Sequence, residues 1–358
     1  MISRREFNRL AALSLTGSLL TPVQSFTSSP PKRLKVGQIG TGHSHADGKI
    51  ETLRRLNDIF EVVGVVENDP ALREKNSGLP AYNGVKWLKE KELLGMPGLQ
   101  GVLVETDLPD LLATAERCIG AGLPVHLDKP PGKNYPQFEQ ILRKAEEKNL
   151  VVQLGYMFRY NPAFEFCLYA VRSGWLGEIF EIDGVISKKI SKERRTPLID
   201  TYQGSMMLLG CHLIDMVIAI LGAPVRVNSY RRQTLAETDT LSDNELAVLE
   251  YPAATATVRS ALVEVEGWER RQFVVCGTKG TIEIKPLEPP HLRLALTQPV
   301  DQYGKGYQEV GMPPEKERYD DQLIDFARMV QGAVKPRYTM QHDLMVQKTV
   351  LEAAGLLK

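Results

Sequence analysis

The chain has 358 residues, 43% of them hydrophobic, and its 44 Lys plus Arg balance 44 Asp plus Glu, for a formal net charge of zero. That length and apolar content suit two domains with a sizeable core. A neutral balance offers nothing to a polyanion and argues against a nucleic-acid partner. No heptad, short repeat or low-complexity tract points to a fibrous or solenoid protein.

At the N-terminus, Ser3-Arg4-Arg5-Glu6-Phe7 precedes the uncharged run Leu10 to Leu20, which Thr21-Pro22 ends. A basic start before a short apolar stretch predicts a targeting signal, and the stretch is too short to span a bilayer. The arginine pair followed by Phe7 resembles a twin-arginine export signal, whose pathway carries proteins that have already folded. A disordered basic tail is the other reading. Residues 1–32 are thus expected to be an export signal and linker. The protein would be periplasmic or exported, with no membrane attachment after signal removal, or cytoplasmic if the leader does not function. The cysteines Cys118, Cys167, Cys211 and Cys276 lack metal-ligand spacing and are expected as buried thiols.

From Arg33 the pattern alternates. A short apolar strand reaches Ile39, Gly40-Thr41-Gly42 breaks it, and a helix follows to Leu56. The Val-rich run Phe60 to Val66 is a strand covered on both faces. Val85 to Leu94 reads as a short strand and helix. The strand Leu99 to Val104 is followed by the helix Leu108 to Ala121. Pro124 to Leu127 is a strand, Tyr135 to Lys148 a helix and Leu150 to Tyr156 a last strand. Such alternation predicts a doubly wound parallel sheet. The pattern then changes. Asn161 to Leu176 reads as helical, Ile179 to Ile186 as a strand and Met206 to Leu221 as a helix ended by Gly222 and Pro224. Consecutive strands follow at Val225–Arg232, Asn244–Tyr251, Thr255–Val263, Arg271–Cys276, Gly280–Lys285 and His291–Thr297, which predict an antiparallel sheet. Helices at Asp320–Gln331 and Gln341–Leu357 close the chain. The fold class is α/β, with a nucleotide-binding domain at 33–157 and an α/β domain with an open, mainly antiparallel sheet at 158–358.

Gly40 permits a tight turn after the first strand, and Gly42 lets a pyrophosphate approach the backbone, where helix amides face it. Glu67 ends the second strand roughly 25 residues on, placed to bond a ribose 2'-hydroxyl and repel a 2'-phosphate. NAD is therefore favoured over NADP. Thr41, His43 and Ser44 in the loop, and Thr106 beyond the strand ending at Val104, are further cofactor candidates. A tight turn that binds nothing is the plainer reading. His43 and His45, with Asp47 near, are a weak metal pair without a third ligand at a defined spacing, so no metal is expected.

His126-Leu127-Asp128-Lys129-Pro130-Pro131 resembles the Glu-Lys-Pro motif of the Gfo/Idh/MocA oxidoreductases, with Asp128 in place of glutamate. Gly155-Tyr156-Met157-Phe158-Arg159-Tyr160-Asn161-Pro162 resembles that family's next segment, and Gly210-Cys211-His212-Leu213-Ile214-Asp215 its Gly-x-His-x-x-Asp helix. The motifs come in the family's order, and the resemblance runs from Leu34 onward. It implies a Rossmann domain followed by an α/β domain whose sheet often forms a subunit interface, hence a homo-dimer or homo-tetramer. It implies NAD(P) chemistry on a small carbohydrate, polyol or related alcohol. It also implies Lys129 and His212 as catalytic residues, with Asp128 and Lys129 beside the cofactor. A lysine close to an oxidised nicotinamide in a partly desolvated cleft loses basicity and can carry an alcohol proton. Without the resemblance, Lys129 would read as a solvated lysine before a proline turn and His212 as a core histidine. A cis bond is expected at Lys129-Pro130 or Pro130-Pro131.

Arg159, Tyr160, Lys188, Tyr202 and Asp215 are candidate substrate contacts, although the basic run Lys188 to Arg195 also reads as a solvated loop. Many relatives carry an acid one helical turn before the histidine, where this chain has Leu208. Three readings follow. The first is an NAD-dependent oxidoreductase acting on a secondary alcohol of a sugar, polyol or glycoside. The second is a redox-neutral, NAD-dependent glycoside-cleaving enzyme with a tightly held cofactor, which suits an exported protein. The third is a non-catalytic sugar or dinucleotide binder, motivated by Leu208. Asp200 is an alternative acid, and Asp128 or Asp215 could support the site from behind.

Overall fold

A computed structural model describes residues 33–314 and 316–357; the expected leader and linker, with Arg4-Arg5, lie outside the described residues. Strands β1 (Leu34–Ile39), β2 (Phe60–Val66), β3 (Trp87–Leu88), β4 (Gly101–Val104), β5 (Val125–Leu127) and β6 (Val152–Leu154) form a parallel six-stranded sheet in the order β3-β2-β1-β4-β5-β6. Helices α1 (Ala46–Arg55), α2 (Pro70–Ser77), α3 (Glu90–Leu94), α4 (Leu108–Gly120) and α5 (Tyr135–Glu147) make the crossovers. All four residues of β4 and all three of β5 are buried, as sheet strands covered on both faces require. The chain leaves β1 toward β2 on one side and reaches β4 on the other. Between β1 and β4 lies the switch point at which ligands bind in open α/β sheets.

The second sheet has eight strands in the order β14-β13-β12-β11-β7-β10-β9-β8. These are β7 (Ile179–Ser187), β8 (Arg226–Arg232), β9 (Asn244–Glu250), β10 (Thr255–Ala261), β11 (Gln272–Gly277), β12 (Gly280–Leu287), β13 (Pro290–Leu296) and β14 (Gly306–Val310). It is mostly antiparallel, with one difference from expectation. β7, the earliest strand, is central and runs parallel to β10. Two ladders of neighbouring strands, β8 to β10 and β11 to β14, grow outward from its two edges. Buried and half-buried residues alternate along β9, so one face rests on a helical layer. That layer comprises α6 (Pro162–Arg172), α8 (Cys211–Leu221) and α10 (Met340–Ala353). Asn161 caps α6 by accepting from the Ala163 amide at 3.0 Å, with Pro162 at the first helical position.

Several elements escape the sequence pattern. α7 (Lys192–Thr201) falls in the stretch that began as a basic loop; it holds Pro197 and has no apolar stripe. It forms because Arg195 is buried and donates to Asp239 at 2.5 Å and Asp243 at 2.9 Å. The expected helix from Met206 opens instead with a wide π-type turn over Met206–Gly210. Cys118, Cys167 and Cys211 are buried free thiols, whereas Cys276 is half-buried. No helix among the described residues is long and apolar enough to cross a membrane.

The helix α9 (Asp320–Val330) returns to the first sheet. Its Leu323 and Phe326 share a core with Leu34, Val36, Ile50 and Leu103. A Cβ at Gly101 would meet the Phe326 ring at 3.1 Å, so β4 carries glycine where the ring presses closest. Phe326→Ala should destabilise the protein by about 3–5 kcal/mol, as other buried Phe truncations do, and urea unfolding would measure it.

Candidate active site

Gly40 has φ of 90°, and a Cβ there would strike the Thr106 nitrogen at 2.4 Å. Only glycine lets β1 end this close to the chain leaving β4. The following loop is locked by Glu67. One of its carboxylate oxygens accepts from the Thr41 amide and hydroxyl, both at 2.7 Å, and the other from the Asp69 amide at 3.0 Å. Asn76 donates to the Thr41 hydroxyl at 2.8 Å. A cleft of about 260 Å³ opens in front of β1, β2 and β4, lined by Gly40, Gly42, Glu67, Thr106 and Asp107 among others. The amides of Gly42 and Ser44 have no partner among the described residues, and the Thr106 hydroxyl is buried without one. Free amides at the start of a helix, beside a glycine cradle, fit a dinucleotide diphosphate. The third position of the glycine motif, His45, does not line that cleft.

His43 is placed differently from expectation. It is buried, with Nδ1 2.9 Å from Asp128 and Nε2 3.2 Å from the Tyr202 hydroxyl. A tautomer with Nδ1 protonated satisfies both contacts and leaves no ring nitrogen for a cofactor. Tyr202 is engaged by the same bond.

Asp128 and Lys129 directly follow β5, and the Lys129-Pro130 bond is cis, as expected. Asp128 is fully buried, and three side chains converge on its Oδ2: His43 Nδ1, His45 Nδ1 at 3.1 Å and Lys49 Nζ at 2.7 Å. Lys49 also donates to Glu105 at 2.9 Å. Burial works to raise the Asp128 pKa, but His43, Lys49 and His45 hold it well below the usual carboxylate range. Burial and the Asp128 charge instead push Glu105 well up, toward its protonated form. Burial disfavours the charged form of His45 as well, taking its pKa to about 3 despite Asp128.

The spacing of His43 and His45 showed no third metal ligand, yet the fold brings Asp128 to them, with the three ligand atoms within 4.8 Å of one another. The cation in that place is the Lys49 ammonium, which shares Oδ2 with both histidines. A divalent ion would have to displace it or sit against it.

Lys129 is 3% exposed and donates from Nζ to the Leu208 carbonyl at 3.1 Å. Leu208 lies in the wide turn, where backbone groups are offset from ordinary helical pairing. The position that holds an acid in many relatives therefore still offers Lys129 an oxygen, but an uncharged one. Burial lowers the Lys129 pKa. His212 opens α8 with its ring against Tyr156 and Phe158, and Nδ1 has no partner. Burial first, then the charges of Lys129, His45 and Arg318, keep it neutral. Burial thus weakens both bases, and the Lys129 charge acts on His212. The alternative acid, Asp200, is exposed on α7 and is not among the leading charges acting on either base.

Other substrate candidates are corrected by the structure. The Arg159 guanidinium is buried, donates to Asp215 at 2.7 Å and Asp343 at 2.7 Å, and lies 4.1 Å from the Tyr338 ring. His342 also contacts Asp215 at 3.0 Å. Arg159 and Asp215 are therefore consumed by a buried ion network joining α8 to α10. Tyr160 donates its hydroxyl to Asp325 at 2.9 Å and accepts from Gln153 at 2.8 Å, which ties α9 to β6. Lys188, half-buried just beyond β7, has Lys129 as the leading charge acting on it. Sequence reasoning missed Lys49, Glu105, Arg271 and Arg318. Lys49 had a signal, since it is four residues from His45 on the face that carries Ala46, Ile50 and Leu53. Lys49→Met should cost about 3–5 kcal/mol by leaving the Asp128 charge buried and uncompensated, measurable by chemical denaturation.

The family model for the GFO/IDH/MocA C-terminal domain matches residues 168–283. An uncharacterized oxidoreductase, YhhX, of Escherichia coli is 27% identical over 245 residues, covering 68% of this chain and 69% of the relative. Inositol 2-dehydrogenase 1 of Saccharopolyspora erythraea is 26% identical over 255 residues, covering 70% and 74%. Among solved structures, the WlbA dehydrogenase of Bordetella pertussis, in complex with NADH and UDP-GlcNAcA, superposes with a TM-score of 0.72 at 14% identity, covering 90% of this chain and 97% of that one. The matched C-terminal domain and the oxidoreductase-named relatives together support an oxidoreductase.

Proposed function

We propose that the protein is an NAD-dependent dehydrogenase that oxidises a secondary alcohol of a sugar or polyol. The observation that carries the reading is the buried Lys129 amine, bonded to the neutral Leu208 carbonyl and close enough for its charge to act on the buried His212 imidazole. A nicotinamide dinucleotide held by the Gly40–Gly42 turn and Thr106 would supply the hydride acceptor for the carbinol carbon. Lys129, in its neutral form, accepts the hydroxyl proton as the carbonyl forms, and His212 holds the same oxygen or passes the proton outward. Apolar packing around His212 excludes water from the proton path. The sugar-acting and inositol-acting relatives support the substrate class.

The base form of Lys129 is required, and that form is lost as pH falls. Its depressed pKa moves this loss below the ordinary lysine value of ~10.4. The pH profile of kcat/KM for alcohol oxidation should therefore rise to a plateau with a midpoint under that value, with no His212 limb near 6.5. Lys129→Ala should lower kcat by about 10²–10⁴-fold and abolish that limb, read as nicotinamide absorbance. Lys129→Ala activity equal to wild type overturns the assignment.

NAD over NADP is supported by the acidic lining of the cleft, where Glu67, Asp69, Asp107 and Asp110 face a single cation, Arg117. A 2'-phosphate there would meet like charge. Glu67→Ser should narrow the kcat/KM ratio of NAD to NADP by about tenfold, roughly the value of one charged contact.

A further inference from the structure

Three buried cations each contact two carboxylates. Lys49 has Asp128 and Glu105, Arg159 has Asp215 and Asp343, and Arg195 has Asp239 and Asp243. Lys188 breaks that pattern. Its amide donates to the Ala261 carbonyl at 3.0 Å, and Gly267 backs it so closely that a Cβ there would meet its nitrogen at 3.0 Å. Its half-buried ammonium has no hydrogen bond or ion pair among the described residues. The leading charges acting on it are Lys129, Arg194, Arg271 and Arg318, all of them cations.

Those neighbours are held in place. Arg271 is buried, donates to the Ser187 carbonyl at 3.1 Å and lies 3.3 Å from the Trp268 ring. Arg271 and Arg318 share one carboxylate, Glu288, at 3.5 Å and 3.2 Å. Arg318 donates to the Met157 sulfur at 2.9 Å, which anchors it beside the segment leaving β6. Lys129 itself is bonded to the uncharged Leu208 carbonyl, and the buried Nδ1 of His212 has no partner among the described residues. Burial and the surrounding positive charge take the Lys188 pKa down to about 8, and burial takes Arg271 to about 10. Like charges gathered around a half-buried, unpaired ammonium cost free energy that a bound anion recovers.

We propose that the substrate carries an anionic group, a carboxylate or a phosphate, which Lys188 binds with Arg271 and Arg318 flanking it, while its neutral hydroxyl faces Lys129. The last clause rests on the dehydrogenase reading; the anion site does not. The substrate is then a sugar acid or a sugar phosphate rather than a neutral sugar.

The test is calorimetric titration of the NAD-loaded protein with matched sets: glucose, glucuronate and glucose 6-phosphate, then galactose, galacturonate and galactose 6-phosphate. In at least one set an anionic member should bind about tenfold or more tightly than its neutral parent, the worth of a charge-assisted contact, and added salt should weaken the preference. Which anion wins distinguishes carboxylate from phosphate. Lys188→Met should cut the preference by about tenfold, and Lys188→Arg should restore most of it. No preference for anionic members in any set, or a preference unchanged in Lys188→Met, overturns the proposal. Nicotinamide reduction recorded on the same samples separates the two readings. Anion-selective binding without turnover keeps the site and overturns the dehydrogenase.

Discussion

A single buried carboxylate, Asp128, joins the parts of this molecule that must act together. It directly follows β5, so its position fixes Lys129 one residue on. It also receives His43 and His45 from the loop after β1, and Lys49 from the helix that the loop opens. The cofactor turn and the catalytic strand end are thereby tied to one charge. Such a charge is tolerable only because Lys49 neutralises it and hydrogen bonds fill its remaining lone pairs. Aspartate rather than glutamate suits this arrangement, because its shorter side chain keeps the carboxylate at the strand end, where its Oδ1 also accepts the Lys129 amide at 2.6 Å.

The replacement of an acid by Leu208 looks, on paper, like the loss of a catalytic group. The wide turn changes its meaning. A carbonyl oxygen meets Lys129 in place of a carboxylate, and the lysine keeps a hydrogen-bond partner while losing a negative neighbour. An ammonium so placed is less stabilised, which moves the equilibrium toward the amine that proton transfer needs.

Charge pairing separates structural cations from available ones. Arg159 and Arg195 look like ligand-binding residues in a linear reading, because arginine near a motif or in a basic run suggests an anion or a hydroxyl. Their guanidiniums are spent on buried carboxylates contributed by segments far along the chain. Lys188, directly after the buried end of β7, is left over.

The sequence by itself determined the alternation of strands and helices, the glycine turn at Gly40 and Gly42, the acid at Glu67 and the order of the motifs around Lys129 and His212. These are legible because strand burial, helix periodicity and glycine geometry act over a few neighbouring residues. Only the tertiary structure decided that Asp128 meets Lys49, that Arg159 and Asp215 neutralise each other against Asp343, and that α9 completes the first core. It also decided the central, parallel place of β7 and the turn that presents the Leu208 carbonyl. Each of these joins residues distant in the chain, and the energy that selects them, burial of charge with its partner, has no local signature.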